Sequence, residues 1–186
     1  FPSWDLAQPF RTLAHNGEIN TVKGNTNWMK IHEQDMSSPL FKNVNDLKPV
    51  IIQGSSDSAA LDNVFELLTH SRKLAPLIKL MMIPDAWSKR SKTVPKNHQD
   101  LFNFLNSSIE PWDGPAAICA TDAKWVLAAT DRNGLRPLRY AITSDNLFYA
   151  GSESGMIKFP EEKIISKGKL GPGQIIAIDL KLGKLY

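Results

Sequence analysis

The chain has 186 residues, of which 42% are hydrophobic and 22% are charged, so it is long and apolar enough to bury a core as a single domain. Its formal charge of +3, from 22 basic and 19 acidic residues, is too small to indicate binding to nucleic acid. The single cysteine, Cys119, excludes an internal disulfide framework and favours a reducing, intracellular setting. No apolar run approaches the roughly 18 residues that a membrane-spanning helix needs.

The first unusual stretch is LAHNGEINTVKGN, residues 13–25. Within it, HNGEIN follows the short run RTLA, residues 11–14, which reads as the end of a strand. An Asn beside a Gly at a strand end, here Asn16 and Gly17, offers a side-chain amide N–H and an unobstructed backbone N–H. Two such donors can form an oxyanion hole, which stabilises the negative oxygen formed during acyl transfer. The local sequence alone favours another interpretation, because Asn-Gly is most often a hairpin turn.

Two helices are predicted between residues 58 and 82, where apolar residues recur at helical spacing. Pro76 fits the first turn of the second helix, so the two join near residues 71–75. The preceding QGSSDS offers Ser56 or Asp57 as the helix cap. Alternatively, the Asp57 carboxylate faces a cleft and accepts hydrogen bonds from a ligand ammonium group, and Ser56 or Ser58 is the cap.

A short helix is predicted at residues 98–108, and strand patterns begin after Gly114. The strand segments are AAICAT, WVLAAT, PLRYAIT, NLFYAGS and QIIAID. Helices followed by antiparallel strands indicate an α+β fold rather than a doubly wound one. DRNG, residues 131–134, reads as a turn that links two strands, and Arg136 and Arg139 are expected to pair with acidic groups such as Glu153.

Four segments carry a more specific resemblance: LAQPFRTLAHNGEINTVKGNTNWM, SSDSAALDNVFELL, EPWDGPAAI and TDRNGLRPLRY. In this order they resemble the glutaminase domain of the large chain of glutamate synthase, a class II amidotransferase with an N-terminal nucleophile. The resemblance covers nearly the whole chain. It implies a four-layer αββα sandwich of the N-terminal-nucleophile hydrolase type, present here only in part. Residues 1–186 would then be the C-terminal portion of one glutamine amidotransferase domain, without an internal boundary.

The resemblance also assigns roles. It places Asn16 and Gly17 in the oxyanion hole, against the hairpin interpretation. It also implies that Asp57 binds the α-amino group of the glutamine substrate. The nucleophile it implies is an N-terminal cysteine, which this chain lacks, so the fragment is expected to be inactive alone. Cys119 lies on an apolar strand and is interpreted as a core residue, and His15 as a hydrogen-bonded structural residue. The histidines have no metal-ligand spacing.

The implied function is hydrolysis of glutamine to glutamate and ammonia, with the ammonia passed to 2-oxoglutarate for reduction. No cofactor is expected in this fragment; the parent enzyme would use FMN, an iron–sulfur cluster and NAD(P)H or ferredoxin. The expected partners are glutamine, the rest of the large chain and a small subunit, with no nucleic acid or membrane, and exposed sheet edges favour self-association of the fragment. The implied compartment is the cytoplasm, or a plastid in a plant or alga. Two alternatives stay open: a non-catalytic scaffold that keeps the oxyanion loop, and another N-terminal-cysteine amidotransferase.

Overall fold

The computed structural model describes residues 3–7, 10–90 and 92–186. The α-helices in these ranges are α1 (Trp4–Ala7), α2 (Val22–Asp35), α3 (Asp57–His70), α4 (Ala75–Met82) and α5 (Lys96–Asn106). The strands are β1 (Leu13–Gly17), β2 (Ala116–Thr121), β3 (Trp125–Thr130), β4 (Arg139–Thr143), β5 (Phe148–Gly151), β6 (Ile164–Lys169), β7 (Ile175–Asp179) and β8 (Lys184–Leu185). Short 3-10 helices occupy Val44–Leu47, Trp87–Arg90 and Glu161–Lys163. None of the helices described is long and apolar enough to cross a membrane.

The strands form two antiparallel sheets that pack face to face. The larger sheet has the order β1-β2-β3-β7-β8, and the smaller has the order β5-β4-β6. Successive side chains of a strand point to opposite faces, and β2 shows the consequence. Ile118 and Ala120 join the core under the helices, whereas Ala117 and Cys119 face the smaller sheet. The described residues therefore stack as a helical layer, a first sheet and a second sheet.

Packing in the helical layer and a side-chain cap fix the position at which α3 begins, within the QGSSDS segment. Leu61 and Phe65 of α3 and Ile78 of α4 are buried against the larger sheet, and burying a side chain of this size contributes roughly 1.5–3 kcal/mol. The Ser56 Oγ accepts a hydrogen bond from the Ala59 backbone N–H at 3.1 Å, which caps α3. The start of α3 is thus held against the larger sheet.

The structure confirms the α+β class, the two helices joined at residues 71–74, and the predicted strands. The hairpin interpretation of Asn16 and Gly17 is wrong, because they are the last two residues of β1 and pair with Ala117 and Ala116. The DRNG turn does link two strands, but β3 and β4 lie in different sheets, so the turn connects two layers. Helix α2 and strand β6 were not predicted, since most of their residues are polar or exposed and give no clear apolar period.

Candidate active site

The backbone N–H of Gly17 points off the edge of the larger sheet. β1 is the outer strand of that sheet as described. The next residue, Glu18, donates its N–H to the Pro115 carbonyl at 2.9 Å, on the β2 side. Because successive backbone N–H groups of a strand point in opposite directions, the Gly17 N–H faces away from β2. A ligand oxygen beside this edge can accept a hydrogen bond from the Gly17 N–H.

Glycine is required at position 17 by the close approach of the neighbouring chain. A Cβ at this position would lie 1.9 Å from the Pro115 carbonyl oxygen and 2.8 Å from the His15 Nε2. Gly114 is similarly constrained, because its Cβ would lie 2.0 Å from the Glu18 carbonyl oxygen. The strand end and the segment before β2 can come this close only without side chains.

The side chain of Asn16 lies between the two sheets and is held at both ends. Its Oδ1 accepts a hydrogen bond from the Arg136 Nη2, and its Nδ2 donates to the Ser152 Oγ at 2.7 Å. An amide nitrogen carries two hydrogens, so Ser152 uses one of them and the other remains for a further acceptor. Asn16 and Gly17 thus place a side-chain donor and a backbone donor on adjacent residues.

The first turn of α3 is tied to the same loop. Asp57 is half-buried, and its Oδ2 accepts the Ile19 backbone N–H at 2.7 Å. Ser58 places its Oγ 2.7 Å from the His15 Nδ1. The other oxygen of Asp57, Oδ1, lies 3.5 Å from the Ser58 Oγ. The structure therefore brings Asp57 beside the Asn16 and Gly17 loop, and Ser56 is the cap that this interpretation of Asp57 requires.

His15 fits a structural role. Burial lowers the pKa of its imidazole, and this effect outweighs the opposing influence of the Asp57 carboxylate. Burial therefore favours the neutral form of the ring. Its Nδ1 is engaged with Ser58, while its Nε2 is buried without a hydrogen-bond partner among the described residues.

The segment EPWDGP, residues 110–115, supports the loop from the other side. The Asp113 carbonyl accepts the backbone N–H groups of Asn20 at 2.8 Å and Thr21 at 3.3 Å, and the Asp113 N–H donates to the Thr21 Oγ1 at 2.9 Å. Trp112, only 2% exposed, anchors the segment in the core and donates its N–H to the Met82 carbonyl. Two motifs that are about 90 residues apart in the sequence are therefore hydrogen-bonded to each other.

Sequence reasoning missed Asp62, which anchors the beginning of β1. Its carboxylate accepts the backbone N–H groups of Arg11, Thr12 and Leu13 at 2.9–3.0 Å, together with the Thr12 hydroxyl at 2.7 Å. Asp62 is 2% exposed. The available signal was a carboxylate next to Leu61 in the core stripe of α3, because a buried acid needs a set of donors.

Asp131 was also missed as a structural centre. It is fully buried, and its carboxylate accepts the backbone N–H groups of Ala116, Asn133, Leu135 and Arg136 at 3.0–3.1 Å. The DRNG turn is therefore organised around its own first residue. For Arg136, the contact that the structure gives is with the Asn16 amide rather than the expected carboxylate.

Cys119 occupies the core position that was expected. Its Sγ lies 3.8 Å from the Ala150 carbonyl oxygen, between the two sheets, and burial raises the pKa of the thiol, which makes it a poor nucleophile. The His32 Nε2 lies 2.7 Å from the Glu110 carboxylate. Among the residues that the structure describes, no group of three or more His, Cys, Asp or Glu side chains could hold a metal ion.

Two stacked sheets lie under one helical layer, and two amide donors lie at the end of β1. The chain matches the family model of class II glutamine amidotransferases over residues 1–186. It belongs to that family. All of the chain aligns at 57% identity with 12% of the glutamate synthase [NADPH] large chain of Azospirillum brasilense, and at 49% identity with 9% of the glutamate synthase [NADH] of Saccharomyces cerevisiae. A solved glutamine phosphoribosylpyrophosphate amidotransferase from B. subtilis matches 94% of this chain and 28% of its own, with 23% identity and a TM-score of 0.43. The chain spans about a tenth of the length of these two glutamate synthases.

Proposed function

We propose that this chain supplies the oxyanion hole and the ammonium-binding carboxylate of a glutaminase site in a glutamate synthase. The reaction hydrolyses the side-chain amide of glutamine to glutamate and ammonia. One observation carries the proposal: the Gly17 N–H points off the sheet edge beside the Asn16 amide, and Asp57 is hydrogen-bonded to the same loop.

The proposed chemistry is acyl transfer to a thiol. The thiol passes its proton to a base, the thiolate attacks the amide carbon, and the carbonyl π electrons move to oxygen. The resulting oxyanion collapses to a thioester as the C–N bond breaks, and the leaving nitrogen takes up that proton to depart as ammonia. Water then attacks the thioester through a second oxyanion, whose collapse breaks the C–S bond and releases glutamate and the thiol. The nucleophile in this proposal is the N-terminal cysteine that the family resemblance implies. Asn16 and Gly17 would stabilise both oxyanions, and they are already held in place by the surrounding hydrogen bonds, so little reorganisation is required.

Asp57 would bind the α-amino group of the substrate. One of its oxygens accepts the Ile19 N–H, and the other, Oδ1, has only a long contact of 3.5 Å with the Ser58 hydroxyl, so Oδ1 can accept from an ammonium group. A hydrogen bond between ionised groups is about twice as strong as a neutral one. This carboxylate would therefore favour α-amino acids over simple amides.

The rest of the reaction is proposed to belong to the longer protein. FMN, an iron–sulfur cluster and NAD(P)H or ferredoxin would act there, with ammonia as the shared intermediate. The single cysteine of this chain is too few to supply the four thiolate ligands of an iron–sulfur cluster. The proposed compartment is the cytoplasm, or a plastid in a plant or alga; the name of an Arabidopsis thaliana relative, 43% identical, describes it as chloroplastic.

The test is ammonia release from glutamine by the full-length protein that carries this chain. Asn16→Ala removes one oxyanion donor, so kcat should fall by about 100-fold to 1000-fold while KM changes little. Asp57→Asn removes the charge that attracts the ammonium group, so KM for glutamine should rise more than kcat falls.

Asn20→Ala is the matched control, because Asn20 lies in the same loop and is exposed, and the contacts described for it are made by its backbone. It should keep kcat and KM within about twofold, as expected of a surface substitution. A wild-type protein that releases no ammonia would favour the scaffold alternative. A kcat that survives Asn16→Ala would refute the oxyanion role.

A further inference from the structure

The Asn16 side chain raises a question of orientation. The oxygen and nitrogen ends of an amide have nearly the same shape, but only the nitrogen can donate to an oxyanion. An Asn16 turned by 180° would direct Oδ1 at the developing negative charge and would oppose the reaction. Some neighbour must therefore select one orientation.

Ser152 cannot make the selection. It is 8% exposed and lies 2.7 Å from the Asn16 Nδ2, but a hydroxyl can either donate or accept. If the amide turned over, Ser152 could donate to Oδ1 in place of accepting from Nδ2. Both orientations satisfy it.

Arg136 can make the selection, because a guanidinium group has donors and no acceptor. Its Nη2 donates to the Asn16 Oδ1. A turned amide would set the Asn16 NH2 group against the Arg136 NH2 group, which is two donors without an acceptor between them. The contact also carries charge, so it polarises the amide and strengthens the remaining Nδ2 hydrogen as a donor.

The backbone of Arg136 is fixed with respect to the site. Its N–H donates to the buried Asp131 carboxylate at 3.1 Å. Within the same turn, Gly134 has a φ of +64°, and a Cβ there would lie 2.9 Å from Pro172. The turn therefore has little room to shift, and the Arg136 side chain extends from a fixed backbone position.

Arg136 is not placed here for packing alone. Its Nε is buried without a hydrogen-bond partner among the described residues. An apolar side chain of similar length would avoid the desolvation of that group. Its contact with Asn16 gives a reason for an arginine at this position.

We propose that Arg136 is a positioning residue. It holds the Asn16 amide so that Nδ2, rather than Oδ1, faces the carbonyl oxygen of the substrate, which becomes the oxyanion. This inference rests on the proposed glutaminase function. Arg136 touches no substrate in this role and acts through Asn16.

The experiment compares variants of the full-length protein in glutamine hydrolysis. Arg136→Met keeps the length and removes the donors, so kcat should fall by about 10-fold to 100-fold, the size of loss expected from a misaligned catalytic group, with KM within twofold. Arg136→Lys keeps a charged donor and should recover part of that loss. The double variant Asn16→Ala with Arg136→Met should be no slower than Asn16→Ala alone, because without the amide there is nothing to orient.

Arg132→Met is the matched control. Arg132 lies in the same turn, and its guanidinium group makes only a long ion pair, 3.8 Å from the half-buried Asp113 carboxylate, so kcat should stay within about twofold. A normal kcat in Arg136→Met, or losses that multiply in the double variant, would refute the inference. If Arg136→Met does not fold, the same two outcomes are judged on Arg136→Gln, whose amide can donate or accept and should give a smaller loss. If Asn16→Ala itself has no effect, the proposed function fails instead, which separates the two.

Discussion

At the scale of single residues, the site depends on where side chains are excluded as much as on where they are placed. Gly17 gives its N–H to the open edge of the sheet, and the Pro115 carbonyl occupies the space that a Cβ would need. The partner in this contact is backbone, which cannot move aside as the end of a flexible side chain can. The candidate oxyanion loop can therefore keep its conformation only if residue 17 has no side chain.

Gly17→Ala should both destabilise the protein and disrupt the site. A forced overlap of this kind typically costs about 1–3 kcal/mol or more, because β1 and residues 113–115 must separate. Gly24→Ala is the control, since no atom lies within 4 Å of its Cβ position in α2 and alanine favours a helix by about 1 kcal/mol. Thermal unfolding of the 186-residue chain should show a lower Tm for Gly17→Ala and an unchanged or higher Tm for Gly24→Ala. Equal Tm values would contradict the argument.

At the scale of elements, β1 is joined to α3 at both of its ends. Asp62 binds the backbone before and at the start of β1, Ser58 contacts the His15 side chain in the middle of the strand, and Asp57 binds the Ile19 N–H just after it. These residues are spaced so that one helix, α3, carries every one of these contacts. The packing of α3 in the core therefore sets the position of the strand that carries Asn16 and Gly17.

Asp62→Ala should loosen the beginning of β1. It leaves three backbone N–H groups and the Thr12 hydroxyl without their acceptor. The Leu13 N–H is buried, and an unsatisfied buried donor costs about 1–3 kcal/mol. Asp100→Ala, which removes only an exposed pair with Lys96, should change the free energy of unfolding by about 0.5 kcal/mol or less. Urea unfolding measures both values. In Asp62→Ala, the rate of backbone hydrogen exchange should increase most, relative to the wild type, at residues 11–13. Similar losses in the two variants would exclude an anchoring role.

The same element explains what the sequence could and could not predict. The apolar spacing of Leu61, Phe65 and Ile78 predicts α3 and α4 because burial alone produces that pattern. The hairpin signal at Asn16 and Gly17 is local, and it is overridden by pairing with β2, which lies about 100 residues away. The polar network around Asp131 could not be predicted either, since its donors are backbone groups that any sequence has.

At the scale of the whole molecule, a buried cluster of charges joins the helical layer to the loops between the strands. Lys79 of α4 is 1% exposed, and its Nζ donates to the Gly173 carbonyl at 3.4 Å, just before β7. The Asp85 and Asp131 carboxylates face it and raise its pKa, but burial has the larger effect and lowers the pKa to about 8. Asp131 in turn holds the backbone of Arg136, so the cluster is connected to the candidate site through Arg136.

The low pKa of Lys79 predicts how stability depends on pH. Below pH 8 the amine is protonated in both states. Between pH 8 and the ordinary lysine value near 10.4, the unfolded chain keeps a proton that the folded protein releases, so the free energy of unfolding rises with pH. The rise attributable to Lys79 should reach up to about 3 kcal/mol and should be absent in Lys79→Met.

The measurement is urea unfolding of the wild type and of Lys79→Met between pH 7 and pH 10. Cys119 contributes in the opposite direction, because burial raises its thiol pKa and stabilisation is lost as the pH rises past its ordinary value. That contribution is common to both proteins and cancels in their difference. If the free energy of unfolding of the wild type rises relative to that of Lys79→Met above pH 8, the titrating amine is Lys79 in the buried cluster. If the difference between the two proteins does not change with pH, Lys79 does not titrate in this range.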